Sequence, residues 1–143
     1  MPLWCLTLIF IDTSWFYAAE VEEDINHQKA MESKRKLARG EFGTPYTTNY
    51  VLDETITLLR FKASFEAALK FKEKIEKSKV LRVVFVDETI IKDANEIFRK
   101  YRNLKLSFTD CTSFALMKRL RINSALSFDE DFKKMGFIIR NRL

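Results

Sequence analysis

A chain of 143 residues, 47% of them hydrophobic and 13 of them Phe, holds enough apolar side chain to fold around one core, so disorder is excluded. Twenty-five Lys and Arg against 20 Asp and Glu leave a formal charge of +5, a basic excess that suits a polyanionic partner without demanding one. One histidine, two cysteines and three glycines exclude a histidine-rich zinc centre, a cysteine-based zinc knot and a glycine-rich phosphate loop.

Residues 1–143 read as a single domain. Cys5 and Cys111 sit in apolar stretches, and no secretory signal precedes them, which points to a reduced, cytoplasmic protein. Residues 1–10 are apolar, but they lack a basic leader and Asp12 interrupts them, so neither a signal peptide nor a membrane span is expected. His27 lies in the charged stretch DINHQKAMESKRK and reads as a solvated helix residue, not as part of a nucleophilic triad.

In chain order, residues 6–12 (LTLIFID) form the first element: a short, nearly continuous apolar run, as in a strand buried on both faces. Residues 13–23 read as a helix with Trp15, Phe16, Ala18 and Ala19 inward, and 24–39 as a basic amphipathic helix closed by Gly40 and Gly43. PYTT, from Pro45, is extended. From Asn49, the apolar spacing of Val51, Leu52, Thr55, Ile56, Leu58 and Leu59 predicts a helix, and 61–79 another. LRVVFV, residues 81–86, is a second strand. Residues 88–101 are helical, and a further helix capped by Thr109 runs to Leu120. Residues 125–128 make a third strand ended by Asp129, and 137–139 add an edge strand. Strands separated by helices imply right-handed crossovers and a three-layer α/β/α sandwich around a parallel sheet of about four to five strands.

Four acids occupy special places in this plan. Asp12 and Asp129 end apolar strands at the carboxyl edge of the sheet, where open α/β sheets bind ligands. Asp110 lies in the first turn of its helix, with Ser113 on the same face, and Glu54 borders the apolar stripe of its own helix. An all-oxygen cluster of this kind suits hard cations such as Mg²⁺ or Mn²⁺. Taken singly, Asp110 reads better as a helix-start residue, Asp129 as a turn former and Glu54 as a solvated helix residue. Asp53 reads as a bystander, and so does Asp131, although the sequence leaves open whether Asp131 takes the place of Asp129 as the fourth acid.

The blocks FIDTSWFYAA, TTNYVLDETITLL, LSFTDCTSFALMKRL and ALSFDEDFKKMGF, in this order, resemble the signature blocks of the PIN-domain family, and within it the VapC-type ribonucleases of prokaryotic toxin–antitoxin pairs. The resemblance spans residues 9–137. It places the family's acidic quartet on Asp12, Glu54, Asp110 and Asp129, and its small hydroxyl residues on Thr13, Ser113 and Ser127. It implies metal-assisted hydrolysis of RNA, with Mg²⁺ or Mn²⁺ held by Asp12, Asp110 and Asp129, and Glu54 either a ligand through water or the group orienting that water. It also implies an antitoxin partner and a homodimer, for which Phe61, Phe65 and Phe71 offer apolar surface. Lys34, Arg35, Lys36 and Arg39, or Lys118, Arg119 and Arg121, are candidates to track the RNA backbone, though each cluster also reads as a solvated helix face. The stretch MPLWC before the first strand and the long basic segment of residues 20–43 depart from the family pattern. The rival readings are an RNA-processing or DNA nuclease of the same fold without an antitoxin, and a non-catalytic binding module.

Overall fold

Four residues, Leu8–Ile11, form the central strand β1, and Ile9, Phe10 and Ile11 are all buried because a strand lies on each side and helices cover each face. The structure, a computed structural model, describes residues 7–141. The MPLWC stretch with Cys5, and Leu6 of the expected first strand, lie outside the described residues. The order is β1, α1 (Thr13–Glu20), α2 (His27–Ala38), β2 (Thr44–Thr48), α3 (Asn49–Lys62), α4 (Phe65–Lys77), β3 (Arg82–Val84) and α5 (Glu88–Lys100), then α6 (Phe108–Leu120), β4 (Ser124–Leu126), α7 (Glu130–Lys134) and β5 (Ile138–Ile139). The sheet is five-stranded, entirely parallel, in the order β3-β2-β1-β4-β5. It is the central layer of a three-layer α/β/α sandwich. No helix among the described residues is long and apolar enough to cross a membrane.

The chain leaves β1 towards β2 and β3, then returns to the other side of β1 to make β4 and β5. The strand order therefore reverses at the carboxyl ends of β1 and β4, the place where a parallel sheet opens a crevice. At the opposite edge the β1–β2 pairing starts with Thr44 N–H donating to the Thr7 carbonyl at 2.9 Å. Gly43 makes that approach possible: its φ is +81°, and a Cβ there would lie 2.1 Å from the Thr7 oxygen.

Several boundaries differ from the sequence reading. PYTT is not a mere extended link but most of β2, an interior strand. Pro45 is tolerated there because β3 pairs only from Tyr46 onward, so one flank is open where the N–H is missing. β3 is an edge strand, with Arg82 exposed and Val83 and Val84 half-buried, so burial on both faces fails for it. α4 starts at Phe65 because Ser64 caps it, its hydroxyl accepting Ala67 N–H at 3.0 Å. His27 is not simply solvated: it opens α2 with its Nδ1 2.7 Å from the Ala18 carbonyl, tying α2 to α1. α6 is capped by Ser107, not Thr109, and α7 was not anticipated.

Aromatic rings fill the core. Phe114 meets Phe132 at 4.8 Å between centroids and Phe137 at 5.6 Å, and Phe16 meets Phe71 at 5.2 Å. Phe71 is therefore a core residue and offers no dimer surface, whereas Phe61 and Phe65 are exposed.

Candidate active site

Three helix starts bring acids to the reversal point. Asp12 caps α1, Asp129 caps α7, and Asp110 is the third residue of α6. Free N–H groups at each helix start partly offset the clustering of negative charge. Ser107 and Asp110 form a reciprocal capping box: Asp110 N–H donates to Ser107 Oγ at 3.0 Å, and Ser107 N–H to Asp110 Oδ2 at 3.4 Å. That pairing sets the direction of the Asp110 side chain.

Asp12 is held from two sides. Its Oδ2 accepts from Ser14 Oγ at 2.7 Å, Ser14 N at 3.3 Å and Ser127 Oγ at 3.0 Å. Oδ1 carries no hydrogen bond among the described residues, so it is the oxygen available to a cation. Ser14 Oγ also accepts Phe128 N–H at 2.8 Å, and Ser127 Oγ accepts Asp129 N–H at 3.0 Å. The two hydroxyls thus bind the end of β1 to the loop that carries Asp129. Ser127 is positioned in turn by Asn141, whose Oδ1 accepts its N–H at 2.7 Å.

The carboxylates are close enough to feel one another. Asp110, Asp129 and Asp131 each offer an oxygen within 4.8 Å of the others, a grouping able to hold a metal ion. Burial, then the charges of Asp12 and Asp129, push the Asp110 carboxyl up to about 7, with Glu54 adding to the rise. Burial pushes Asp12 up to about 6 against its hydrogen bonds to Ser14 and Ser127, and Asp129 adds to the rise. Asp131 is raised by burial and by Asp129. Glu54 is half-buried and lines a surface pocket with Thr109, beside the Asp110 turn. Burial and Asp110 push the neighbouring Cys111 thiol up to about 11, so it is no nucleophile.

Of the four acids of the sequence reading, Asp110 and Asp129 meet within 4.8 Å and Asp131 joins them, whereas Asp12 and Glu54 lie outside that grouping and are felt at Asp110 through their charge. Of the three hydroxyl residues, only Ser127 touches a carboxylate. Thr13 Oγ1 instead donates to the Val51 carbonyl at 3.3 Å and accepts from Thr55, stitching α1 to α3. Ser113 Oγ is buried and has no hydrogen-bond partner. Ser14 and Asn141 were missed. Ser14 is visible in the sequence as the residue two after a capping aspartate, whereas Asn141 has no local signal.

The basic clusters are less concentrated on the site. Lys118 and Arg119, with Arg121 as the C-cap, lie at the far end of α6, about 12 to 16 Å along the helix from Asp110. Arg119 is engaged by Asp93 at 2.7 Å and by Thr89. Arg39 pairs with Glu41 at 2.8 Å. Lys34 lines an apolar groove beside Lys74, Arg35 is exposed, and Lys36 borders a small polar cavity.

An all-oxygen donor set in which burial and neighbouring charge raise the Asp110 carboxyl, with the raised Asp12 carboxyl keeping one oxygen free of hydrogen bonds, fits an oxygen-coordinated cation. Known proteins carry the same plan. Residues 9–138 match the PIN domain family. The 23S rRNA-specific endonuclease VapC20 of Mycobacterium tuberculosis is 34% identical over 131 residues, 92% of this chain and 96% of that protein. A VapC ribonuclease of Archaeoglobus fulgidus is 30% identical over 123 residues, 85% of this chain and 77% of that one. The crystal structure of M. tuberculosis VapC20, a sarcin–ricin loop cleaving toxin, covers 91% of this chain and 96% of that one, with a TM-score of 0.82 at 35% identity. VapBC2 from Rickettsia felis, bound to a promoter DNA fragment, shares the fold with a TM-score of 0.68 at 12% identity, over 94% of this chain and 98% of that one. With the match running through almost every element of the sheet and its acids, this chain belongs to the PIN domain family.

Proposed function

We propose that the protein is a metal-dependent endoribonuclease, the toxin of a VapBC-type toxin–antitoxin pair acting in the cytoplasm. The observation that carries this reading is the approach of Asp110, Asp129 and Asp131 to within 4.8 Å beside the buried Asp12 carboxylate. The residues that would hold Mg²⁺ or Mn²⁺ are Asp12, Asp110 and Asp129, with Asp131 as a further oxygen donor. When bound, such an ion neutralises the phosphodiester and makes its water a stronger acid. Ser14 and Ser127 keep the Asp12 carboxylate in one orientation, so its free oxygen stays aimed. Glu54, on α3 and half-solvated, is the group that accepts a hydrogen bond from the attacking water and orients it.

The test substrate is 23S ribosomal RNA, on which the relative VapC20 acts. Purified protein is expected to cut it with Mg²⁺ or Mn²⁺ and to stop when EDTA is added. Cleavage undiminished in EDTA rules this reading out.

The antitoxin follows from the likeness to VapC proteins. An apolar groove of about 320 Å³ between α1, α2 and α4, lined by Trp15, Phe16, Leu37, Phe71, Ile75 and Leu81, is where a helical segment of that partner would bury its apolar face. The protein is also proposed to be a homodimer. Phe61, Phe65 and Leu69 expose large apolar side chains near the junction of α3 and α4, a costly arrangement for an isolated chain. Light scattering is expected to give about twice the 16.9 kDa of one chain. A mass of one chain at every concentration removes the dimer.

A further inference from the structure

The end of β4 is held by a side chain where a strand would normally hold it. In the parallel pairing of β4 with β5, Ile138 N–H donates to the Asn123 carbonyl at 2.8 Å and Arg140 N–H to the Ala125 carbonyl at 2.9 Å. One more rung of that ladder would take the Ser127 N–H to the Arg140 carbonyl. β5 ends at Ile139, and Asn141 supplies the acceptor instead, its Oδ1 taking the Ser127 N–H at 2.7 Å. A backbone N–H requires the amide oxygen, so this bond fixes which way the amide is turned. Asn141 is 3% exposed and Ser127 is fully buried, so both ends of the bond are shielded from solvent.

That orientation is unfavourable for the rest of the amide. Nδ2 is buried and has no hydrogen-bond partner among the described residues. Side chains that serve packing alone rarely keep a buried donor unmade, so the bond made by Oδ1 needs a use beyond packing. An aspartate would offer the same acceptor without the orphaned donor, but it would bury one more negative charge a single side chain away from Asp12. The amide is the neutral acceptor at a place where negative charge is already crowded.

Ser127 joins this bond to the acids. Its Oγ donates to Asp12 Oδ2 at 3.0 Å and accepts the Asp129 N–H at 3.0 Å. A displaced backbone at residue 127 therefore disturbs the Asp12 carboxylate and the Asp129 turn together. We propose that Asn141 is a positioning residue of the metal site, acting through Ser127 to hold Asp12 and Asp129 in place for a cation. This rests on the metal-dependent reading above. Mg²⁺ tolerates little departure from oxygens at about 2.0–2.1 Å, so a small displacement of its donors weakens binding.

The experiment measures Mn²⁺ affinity by calorimetry, and melting temperature in EDTA, for the full chain and three variants. Asn141→Leu removes the acceptor and the orphaned donor together. It should bind Mn²⁺ on the order of tenfold to a hundredfold more weakly. Asn141→Asp keeps the acceptor but buries a charge, so it should melt lower and bind Mn²⁺ as wild type does. Ile90→Ala opens a cavity at the far end of α6, where Thr89 meets Arg119, and should lose melting temperature without losing Mn²⁺ affinity. Equal affinity in wild type and Asn141→Leu overturns the proposal. So does an affinity that falls in step with melting temperature in Asn141→Leu and Ile90→Ala alike, because Asn141 then braces only the fold. If Asn141→Leu does not fold, a Mg²⁺ titration of the ¹⁵N-labelled wild type decides. The Ser127 and Asn141 amide signals should move saturably with the midpoint of the Asp129 amide, and signals that stay still overturn the proposal. The expected pattern in a protein that cuts no RNA leaves the positioning role standing and removes the ribonuclease reading. A wild type that binds no Mn²⁺ removes both.

Discussion

Changing Asp12, Glu54, Asp110 or Asp129 to its amide, one at a time, is expected to slow RNA cleavage on the order of a hundredfold or more and to leave the fold intact. Each amide keeps the shape and one acceptor oxygen. Asp129→Asn still caps α7, because Asn is as good an N-cap as Asp. Asp12→Asn can still accept from the Ser14 and Ser127 hydroxyls through its remaining oxygen. Each change also removes a charge from a cluster that pays for its burial in raised pKa values, so the metal-free variants should be at least as stable as wild type. Asp53, exposed on α3, is the control, and Asp53→Asn should be silent in both assays. For Asp131 the expectation from sequence was also silence. Its carboxylate lies within 4.8 Å of Asp110 and Asp129, so Asp131→Asn should weaken metal binding and cleavage together. Wild-type behaviour of Asp131→Asn would return the site to four acids. Loss of fold in all four amide variants would make the acids structural, and the nuclease reading would fail with them.

Without divalent metal, the protein should lose stability as pH rises from about 4 to about 7. Burial and neighbouring charge raise Asp12 to about 6 and Asp110 to about 7, from 3.8 in the unfolded chain. Between those values the folded chain holds protons that the unfolded chain has released. Stability conferred by a raised carboxyl is therefore full below pH 3.8 and disappears as pH climbs through the folded value. The combined effect is on the order of a few kcal/mol. Asp87, held below its usual range by Ile90 N–H, acts in the opposite sense, but only below about pH 4. Mn²⁺ or Mg²⁺ replaces the missing protons, so added metal should restore the melting temperature at pH 8 and do little at pH 5. Melts in EDTA whose midpoint climbs steadily between pH 5 and 8 would show that the acids are not compressed as described.

Much of the architecture was legible because it is written locally. LTLIFID reads as a buried strand ending in an acid because an apolar run of that length has few other uses, and β1 and Asp12 follow from it. Asp12 and Asp87 end apolar runs and open helices, whereas the caps Ser64, Ser107 and Asp129 were not legible, so the start of α4, the cap of α6 and the whole of α7 came only from the structure. Alternating strands and helices select a parallel sheet, and the sheet then places the carboxyl ends of β1 and β4 side by side.

Errors arose where a side chain's direction depends on a distant segment. Thr13 follows Asp12 in sequence, yet the phase of α1 turns it to Val51 and Thr55 on α3, and it is Ser14, one residue further on, that reaches Asp12 and Ser127. The spacing of Phe61, Phe65 and Phe71 looks alike on paper, but packing against Phe16 takes Phe71 into the core. Asp131 reads as a bystander until Asp129 caps α7 and the first turn of that helix brings the Asp131 carboxylate within 4.8 Å of Asp110.

By itself the sequence determined that this chain is a parallel α/β protein with acids at the ends of β1 and β4, because periodicity and caps depend on neighbours a few residues apart. Only the tertiary structure decided which hydroxyls hold Asp12, that Asp131 stands with Asp110 and Asp129, and that Asn141 braces Ser127 while leaving an amide unpaired. Those contacts join residues from separate elements, and they exist only once the sheet order has brought the ends of β1, β4 and β5 together.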